Sequence, residues 1–234
     1  MFGPLCFVAA RRSAFPLVLL LLLGLPQCTT LTPSECEEGD WRGIGLADGR
    51  KGEPASRIAD HAKACAAGGV KPDMAAYESG RAEGLLSYCT PAGGFLNGAR
   101  GGAYAGVCAG AGEEAFLKTY RLGTSLRDKR DRVKALEADL DNLVESIKDE
   151  RRSIREDACK RNQYAAECTG AFLSSGTLNL SEQLYDRKRA ELSDALSACQ
   201  AGLREAFPTV KGLGLDPEMV EKFNPDNDFC FERR

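Results

Sequence analysis

Apolar residues recur at helical spacing through the second half of the chain. From Glu113 to about Phe172 there is no proline. Leucine, isoleucine and valine return there every three, four or seven residues, which places them on one face of a long helix at the a and d positions of a heptad. The residues on this face are Val133, Leu136, Leu140, Leu143, Ile147 and Ile154.

A second apolar stripe follows the turn residues 174–177. Ser181 can open a helix, and Pro208 is expected to end it. The stripe consists of Leu184, Leu192, Leu196 and Leu203. The two stripes predict an antiparallel, coiled-coil-like helical hairpin over residues 113–207, followed by a tail, residues 208–234, that folds back on it.

The pairing of the two helices determines what covers the first stripe. A reversal about residue 179 places residues 181–206 beside 152–177, which leaves the stripe of 126–147 uncovered. A homodimer or another protein binding through 126–147 would bury it. The alternatives within the chain are the preceding domain and the tail near 217–223, and the sequence leaves this choice open.

Residues 36–112 follow a different pattern, with short apolar segments separated by many glycines and alanines. An aromatic residue followed by two glycines four apart occurs three times: Trp41 with Gly45 and Gly49, Tyr77 with Gly80 and Gly84, and Phe95 with Gly98 and Gly102. Glycines four apart share a helix face and let another backbone approach closely. For the first copy, a loop between short helices is an equally good interpretation. We therefore predict a mainly α fold, with a small glycine-rich helical domain that ends near residues 110–112.

The N-terminal segment is typical of an export signal. Arg11 and Arg12 precede an apolar run that ends at Leu25, which is too short to span a bilayer. We assign residues 1–27 as a signal peptide and 28–35 as a tether. Leu25-Pro26-Gln27-Cys28 resembles the lipobox of bacterial lipoproteins, which implies a lipid on Cys28, although that pattern has a small residue where Gln27 stands. Ordinary cleavage near Cys28, giving a soluble product, is the alternative.

Cysteine content supports the same compartment. Of ten cysteines, Cys6 leaves with the signal and Cys28 would carry lipid, so eight remain. An even number in an exported chain favours disulfides, and the single histidine and the absence of two-residue cysteine spacing argue against a metal site. We predict the pairs Cys36–Cys65 and Cys89–Cys108 from proximity alone, and Cys159–Cys199 and Cys168–Cys230 from the hairpin.

Charge and motifs argue against several functions. The net charge is −3 with both signs interleaved, so no basic surface for nucleic acid is predicted. Asp40, Asp48, Asp60, His61, Glu83 and Tyr88 include acid–base types, but no nucleophile motif accompanies them. His61 is expected at the surface. We therefore predict no catalytic residue, metal or cofactor.

Three arginines follow the glycines of the repeats at similar places. Arg50, Arg81 and Arg100 would suit an anionic glycan or a carboxylate if they lay at close-packed helix ends. Duplication of the repeat explains their recurrence equally well.

The order of these motifs, from Cys36 and Gly39-Asp40-Trp41 through Asp48-Gly49 and Gly80-Arg81 to Gly106-Val107-Cys108, resembles an uncharacterised family of proteobacterial lipoproteins, domain of unknown function 2799. The resemblance covers roughly residues 36–125 and departs from the family at Leu46, where an aromatic is frequent. It implies an envelope lipoprotein with structural cysteines and implies no activity.

These observations favour a noncatalytic lipoprotein of the bacterial envelope, facing the periplasm and acting as a structural or protein-interaction module. Thr29 after Cys28 favours the outer membrane. The alternative is a periplasmic protein that binds peptidoglycan or another anionic glycan, or acts on it.

Overall fold

The computed structural model describes residues 30–163 and 176–231, without the side chains of 111 and 176–179. Within these ranges the chain forms helices, turns and short irregular segments, which confirms the mainly α prediction. Two compact units meet between Leu86 and Ser87. Residues 110–112, where the composition changes, do not separate the units, because the helix before them packs along the helix that follows.

The first unit contains four helices and one 3₁₀ turn. They are α1 Pro33–Glu38, α2 Trp41–Lys51, α3 Arg57–Cys65, the turn Ala66–Gly68, and α4 Met74–Tyr88, which ends just past the division. Local sequence sets the ends: the Thr32 hydroxyl and the Glu35 carboxylate form a capping box on α1, and the Asp40 carboxylate accepts the Gly43 N–H at the start of α2. Gly52, at φ +73°, ends α2 in the left-handed conformation that glycine tolerates.

Glycines let α2 and α4 touch through their backbones. A Cβ added to Gly45 would lie 2.1 Å from the Tyr77 carbonyl oxygen, and one added to Gly80 would lie 1.9 Å from that of Arg42. Gly49 and Gly84 make the same kind of contact one turn further along. The predicted close approach is therefore confirmed for the first two copies of the repeat, including the first, which could equally have been a loop.

The second unit contains α5 Pro91–Arg100, α6 Ala111–Arg161, α7 Gly176–Lys211, α8 Pro217–Lys222 and the 3₁₀ turn Asp228–Cys230. Helix α5 crosses the start of α6 in the way that α2 crosses α4. Cβ atoms added to Gly94 and Gly98 would lie 2.3 and 2.1 Å from the carbonyl oxygens of Phe116 and Tyr120. The third copy of the repeat thus uses Gly94 and Gly98. The predicted second glycine, Gly102, follows the end of α5 and contacts the Asn97 side chain.

Helices α6 and α7 form the predicted hairpin, but the predicted register is wrong. Arg151 pairs with Glu182 at 2.7 Å, and Lys188 pairs with Asp139 at 3.3 Å. Helix α6 ends at Arg161, well before the turn residues on which the prediction rested, and α7 continues through Pro208 to Lys211. Helix α7 therefore lies beside the segment that was expected to be uncovered.

This register changes the role of residues 126–147. Leu126, Val133, Leu136 and Leu140 are buried, and the cluster around Leu126 and Val133 includes residues of α5, α7 and the tail. The part of the stripe from Leu126 to Leu140 is covered within the chain, so it does not require a homodimer or another envelope protein.

Disulfides join the ends of several helices. Cys36–Cys65 and Cys89–Cys108 are present as predicted, each with 5.4 Å between Cα atoms. The predicted pairs Cys159–Cys199 and Cys168–Cys230 are wrong, because Cys199 bonds Cys230, with Cα atoms 6.0 Å apart. Helix α7 extends about 18 Å beyond Cys199 before the tail begins. The tail then runs back along α7 as far as Cys199, where Cys230 bonds it, and not to the turn of the hairpin. Cys159 is also disulfide-bonded, and Cys168 lies outside the described residues.

Candidate functional site

Acid–base residues of the first unit converge on the Asp48 carboxylate. Tyr77 donates its hydroxyl to Asp48 Oδ2 at 2.7 Å, and His61 Nε2 lies 2.7 Å from the same oxygen. His61 Nδ1 lies 2.9 Å from the Thr30 hydroxyl. Helices α2, α3 and α4 and the segment before α1 each supply one member of this Asp48 cluster.

The glycine contacts explain why these side chains meet. Asp48 precedes Gly49 on α2, and the close approach of α4 brings Tyr77 within reach of it. The Cys36–Cys65 disulfide ties the end of α3 to α1, and His61 lies one helical turn before Cys65. The prediction of a surface position for His61 is wrong, because its side chain is buried. The polar neighbour Asp60, on which that prediction rested, is exposed on another face of α3.

Burial determines the protonation of the tyrosine. Two effects raise the pKa of Tyr77 well above its usual value. The larger is the removal of the side chain from water, and the smaller is its hydrogen bond to the Asp48 carboxylate. The phenol therefore remains protonated and acts as a donor. The Asp48 oxygen that accepts this hydrogen bond is also the one that lies next to His61 Nε2.

The Asp48 cluster has the residue types of an acid–base site but not the access. Asp48, His61 and Tyr77 expose 6%, 3% and 0% of their surfaces. An acid–base residue must lie within hydrogen-bond distance of a substrate, directly or through one water. Both ring nitrogens of His61 and the Oδ2 atom of Asp48 already contact other groups of the protein. The cluster therefore links four segments of the first unit to one another.

The other acid–base candidates also serve local structure. Asp40 caps α2, Asp60 pairs with Arg57 at 3.4 Å, and Glu83 pairs with Arg42 across α2 and α4. The Tyr88 hydroxyl accepts a hydrogen bond of 2.9 Å from the Asn97 amide nitrogen. In the described part of the chain, no group of three histidine, cysteine or acidic residues is arranged to hold a metal ion.

The three arginines of the repeats have different environments. Arg81 donates from Nε and Nη2 to the Glu53 carbonyl oxygen at 2.9 and 2.7 Å, so its guanidinium fixes the segment after α2. Arg50 is exposed in the last turn of α2. Arg100 occupies the last turn of α5, in the second unit. A joint site of Arg50, Arg81 and Arg100 for an anionic glycan stays a prediction.

The hairpin exposes apolar residues at the end away from α5. We define the distal arm as residues 144–161 of α6 and 176–190 of α7. Leu180 is 69% exposed and Leu184 is 41% exposed, while Ile147 and Ile154 are half-buried. Polar contacts join the two helices here, from Arg151 to Glu182 at 2.7 Å and from Ser181 to Glu150 at 3.0 Å. The cluster of buried residues around Leu126 does not reach this arm.

Within residues 30–163 and 176–231, no helix has both the length and the apolar character required to cross a membrane.

Part of the chain matches one protein-family model. Residues 40–125 match the model described as "Protein of unknown function (DUF2799)". This segment runs from the start of α2 through the α5–α6 crossing and includes Asp48, His61 and Tyr77 of the Asp48 cluster. No curated protein and no solved structure matches the chain significantly.

Proposed function

We propose that this chain, whose residues 40–125 match the DUF2799 model of unknown function, is a noncatalytic structural module of the bacterial cell envelope. It associates with a second copy of itself through the distal arm. The contrast between the buried part of the hairpin and its distal arm is the observation that carries the proposal. Where α6 is covered by α7, α5 and the tail, its apolar side chains are buried. In the distal arm, Leu180 and Leu184 of α7 are exposed, and Ile147 and Ile154 of α6 are only half-buried.

Leu180 and Leu184 make the arm suitable for association. They lie four residues apart and therefore share a face of α7. Full burial of a leucine side chain stabilises a contact by about 1.5–3 kcal/mol. A helix from another chain packed along this face would supply that burial, as it does in coiled coils.

The charge pattern of the distal arm favours a second copy as the occupant. Both signs occur along each helix, for example Arg151 and Arg155 near Glu156 on α6, and Asp186 beside Arg187 on α7. A two-fold contact places the same surface on both sides, so a surface with interleaved charges can complement itself. A surface of one sign would repel its own copy.

The state of the acid–base residues supports a noncatalytic role. Asp48, His61 and Tyr77 are buried, and both His61 and Tyr77 contact the Asp48 carboxylate. Asp40 caps a helix, and Asp60 and Glu83 are in ion pairs.

The disulfides support the envelope location. Cys36–Cys65, Cys89–Cys108 and Cys199–Cys230 are bonds that form and persist in oxidising compartments. The signal peptide 1–27 and a lipid on Cys28, facing the periplasm from the outer membrane, complete the proposal, and both rest on the sequence.

Photocrosslinking in intact cells tests the association. A photoreactive phenylalanine analogue replaces Leu184 in the full chain, and two differently tagged copies are expressed together. We expect a crosslinked species that carries both tags. The same analogue at Leu86, which is 76% exposed in the first unit, is the control and should give no such species. Crosslinks from position 184 to other proteins alone would contradict self-association.

Fractionation of the same cells tests the lipid anchor. The Cys28→Ala variant should be absent from the membrane fraction if Cys28 carries the anchor, and its retention there would exclude that anchor.

A further inference from the structure

The second unit contains a groove that the distal arm does not explain. Helices α5 and α6 form one side, and α8 with the following turn forms the other, around a cavity of about 540 Å³. This volume falls within the usual range for small-molecule sites, about 300–1,000 Å³. The floor is apolar and consists of Leu96, Ala99, Met219, Phe223 and Phe229.

Positive side chains line the rim of this groove. Arg100, Arg130 and Lys222 reach it, against one carboxylate, that of Asp228. Arg130 stacks over the Phe229 ring, with Cζ 5.3 Å from the centroid, and pairs with Asp131 at 3.3 Å. Among the described residues, Arg100 and Lys222 form no ion pair, and Arg100 Nη2 lies 4.0 Å from the Met219 sulfur.

Covalent and aromatic contacts fix the two sides of the groove relative to each other. The Cys199–Cys230 disulfide holds the chain just after Phe229 against α7. Phe223 packs on Phe95 of α5 and on Phe229, with ring centroids 4.8 and 5.1 Å apart. A ligand would therefore meet walls that are already in place, which lowers the entropic cost of binding.

We propose that this groove binds a small carboxylate that carries an apolar chain, of the size of a medium-chain fatty acid. Arg100 and Lys222 would pair with the carboxylate, and the aromatic floor would receive the chain. A neutral hydrocarbon would leave the cations at the rim without a partner. A hydrated anion without an apolar chain would leave the apolar floor unoccupied. The inference does not depend on self-association.

Calorimetric titration of the purified chain, with its disulfides intact, tests this proposal with decanoate below its micelle concentration. We expect saturable binding with one decanoate per chain. Decyltrimethylammonium has the same chain with the opposite charge, and glucuronate has a carboxylate without the chain. Both should bind at least tenfold more weakly than decanoate.

Variants locate the binding. Arg100→Gln combined with Lys222→Gln should weaken decanoate binding at least tenfold with unchanged thermal unfolding, because both side chains lie at the rim. Arg50→Gln is the matched control, since Arg50 is the exposed arginine in the last turn of α2, as Arg100 is in the last turn of α5. Absence of decanoate binding, equal binding of either comparison ligand, or an unchanged affinity in the double variant would overturn the proposal.

Discussion

Asp48 illustrates how the surroundings of a residue decide its role. In the sequence it is one of several acidic residues near a histidine. In the fold its carboxylate oxygen receives the Tyr77 hydroxyl and faces His61, and all three are buried. A buried carboxylate without partners would be costly, whereas one bonded to two side chains links the helices that supply them. The cluster therefore acts in folding stability.

Tyr77 gives this cluster a pH dependence that can be measured. Because the folded state raises the pKa of Tyr77, its contribution to stability is fully present below the ordinary tyrosine pKa of about 10 and is lost as the pH rises above it. Below pH 10, Tyr77→Phe should lower the free energy of unfolding by about 1–3 kcal/mol, because Asp48 loses a donor. Between pH 10 and 11 that difference should narrow by about 1 kcal/mol.

Urea unfolding of the wild type and of Tyr77→Phe at pH 8, 10 and 11 provides the measurement. Tyr104 also has a raised pKa, from burial and from its bond to Glu113, but it is present in both proteins and its effect cancels. If the difference in the free energy of unfolding between the two proteins stays constant from pH 8 to 11, the folded state does not raise the pKa of Tyr77.

At the scale of elements, paired glycines determine how the helices cross. The sequence predicted close approach at Gly45, Gly49, Gly80 and Gly84, and the structure confirms it. It misplaced the third pair because five glycines occur between residues 93 and 102, and their common spacing does not say which of them face a partner. The cap at Thr90 and the packing on α6 select Gly94 and Gly98, and α6 had been assigned to another domain.

Gly98 tests this packing directly. A Cβ at Gly98 would lie 2.1 Å from the Tyr120 carbonyl oxygen, so Gly98→Ala must push α5 away from α6. We expect it to lower the free energy of unfolding by about 1–3 kcal/mol. Gly112→Ala, where the nearest atom to the new Cβ is 3.5 Å away, should be neutral or stabilise by up to about 1 kcal/mol through helix propensity. Equal effects of the two substitutions in thermal or urea unfolding would contradict the close backbone contact.

The hairpin shows why helix register is difficult to derive from sequence. Sliding two heptad helices by whole heptads keeps their a and d positions facing each other, so the apolar pattern alone permits several registers. The actual register is marked by charged pairs such as Lys188 with Asp139, and those residues have many other possible partners in the sequence. The error in register also produced the two wrong disulfides, since both were placed from it.

At the scale of the whole molecule, each unit contains the same arrangement. A disulfide joins a residue a few positions before the first helix of a crossing pair to the segment between the two helices, as Cys36–Cys65 does for α2 and α4 and Cys89–Cys108 does for α5 and α6. Gly45 and Gly49 of α2 correspond to Gly94 and Gly98 of α5 in the contacts that they make. The DUF2799 segment thus contains two helix crossings of one design, and the hairpin extends the second of them.

Sedimentation equilibrium of the purified chain tests self-association through the distal arm most directly. We predict a reversible dimer for the wild type and a monomer for Leu180→Glu combined with Leu184→Glu, because two charges would replace the exposed leucines of the contact. Leu86→Glu, at an exposed leucine of the first unit, should remain a dimer. A wild type that is monomeric at every concentration, or a double variant that associates as the wild type does, would contradict the account.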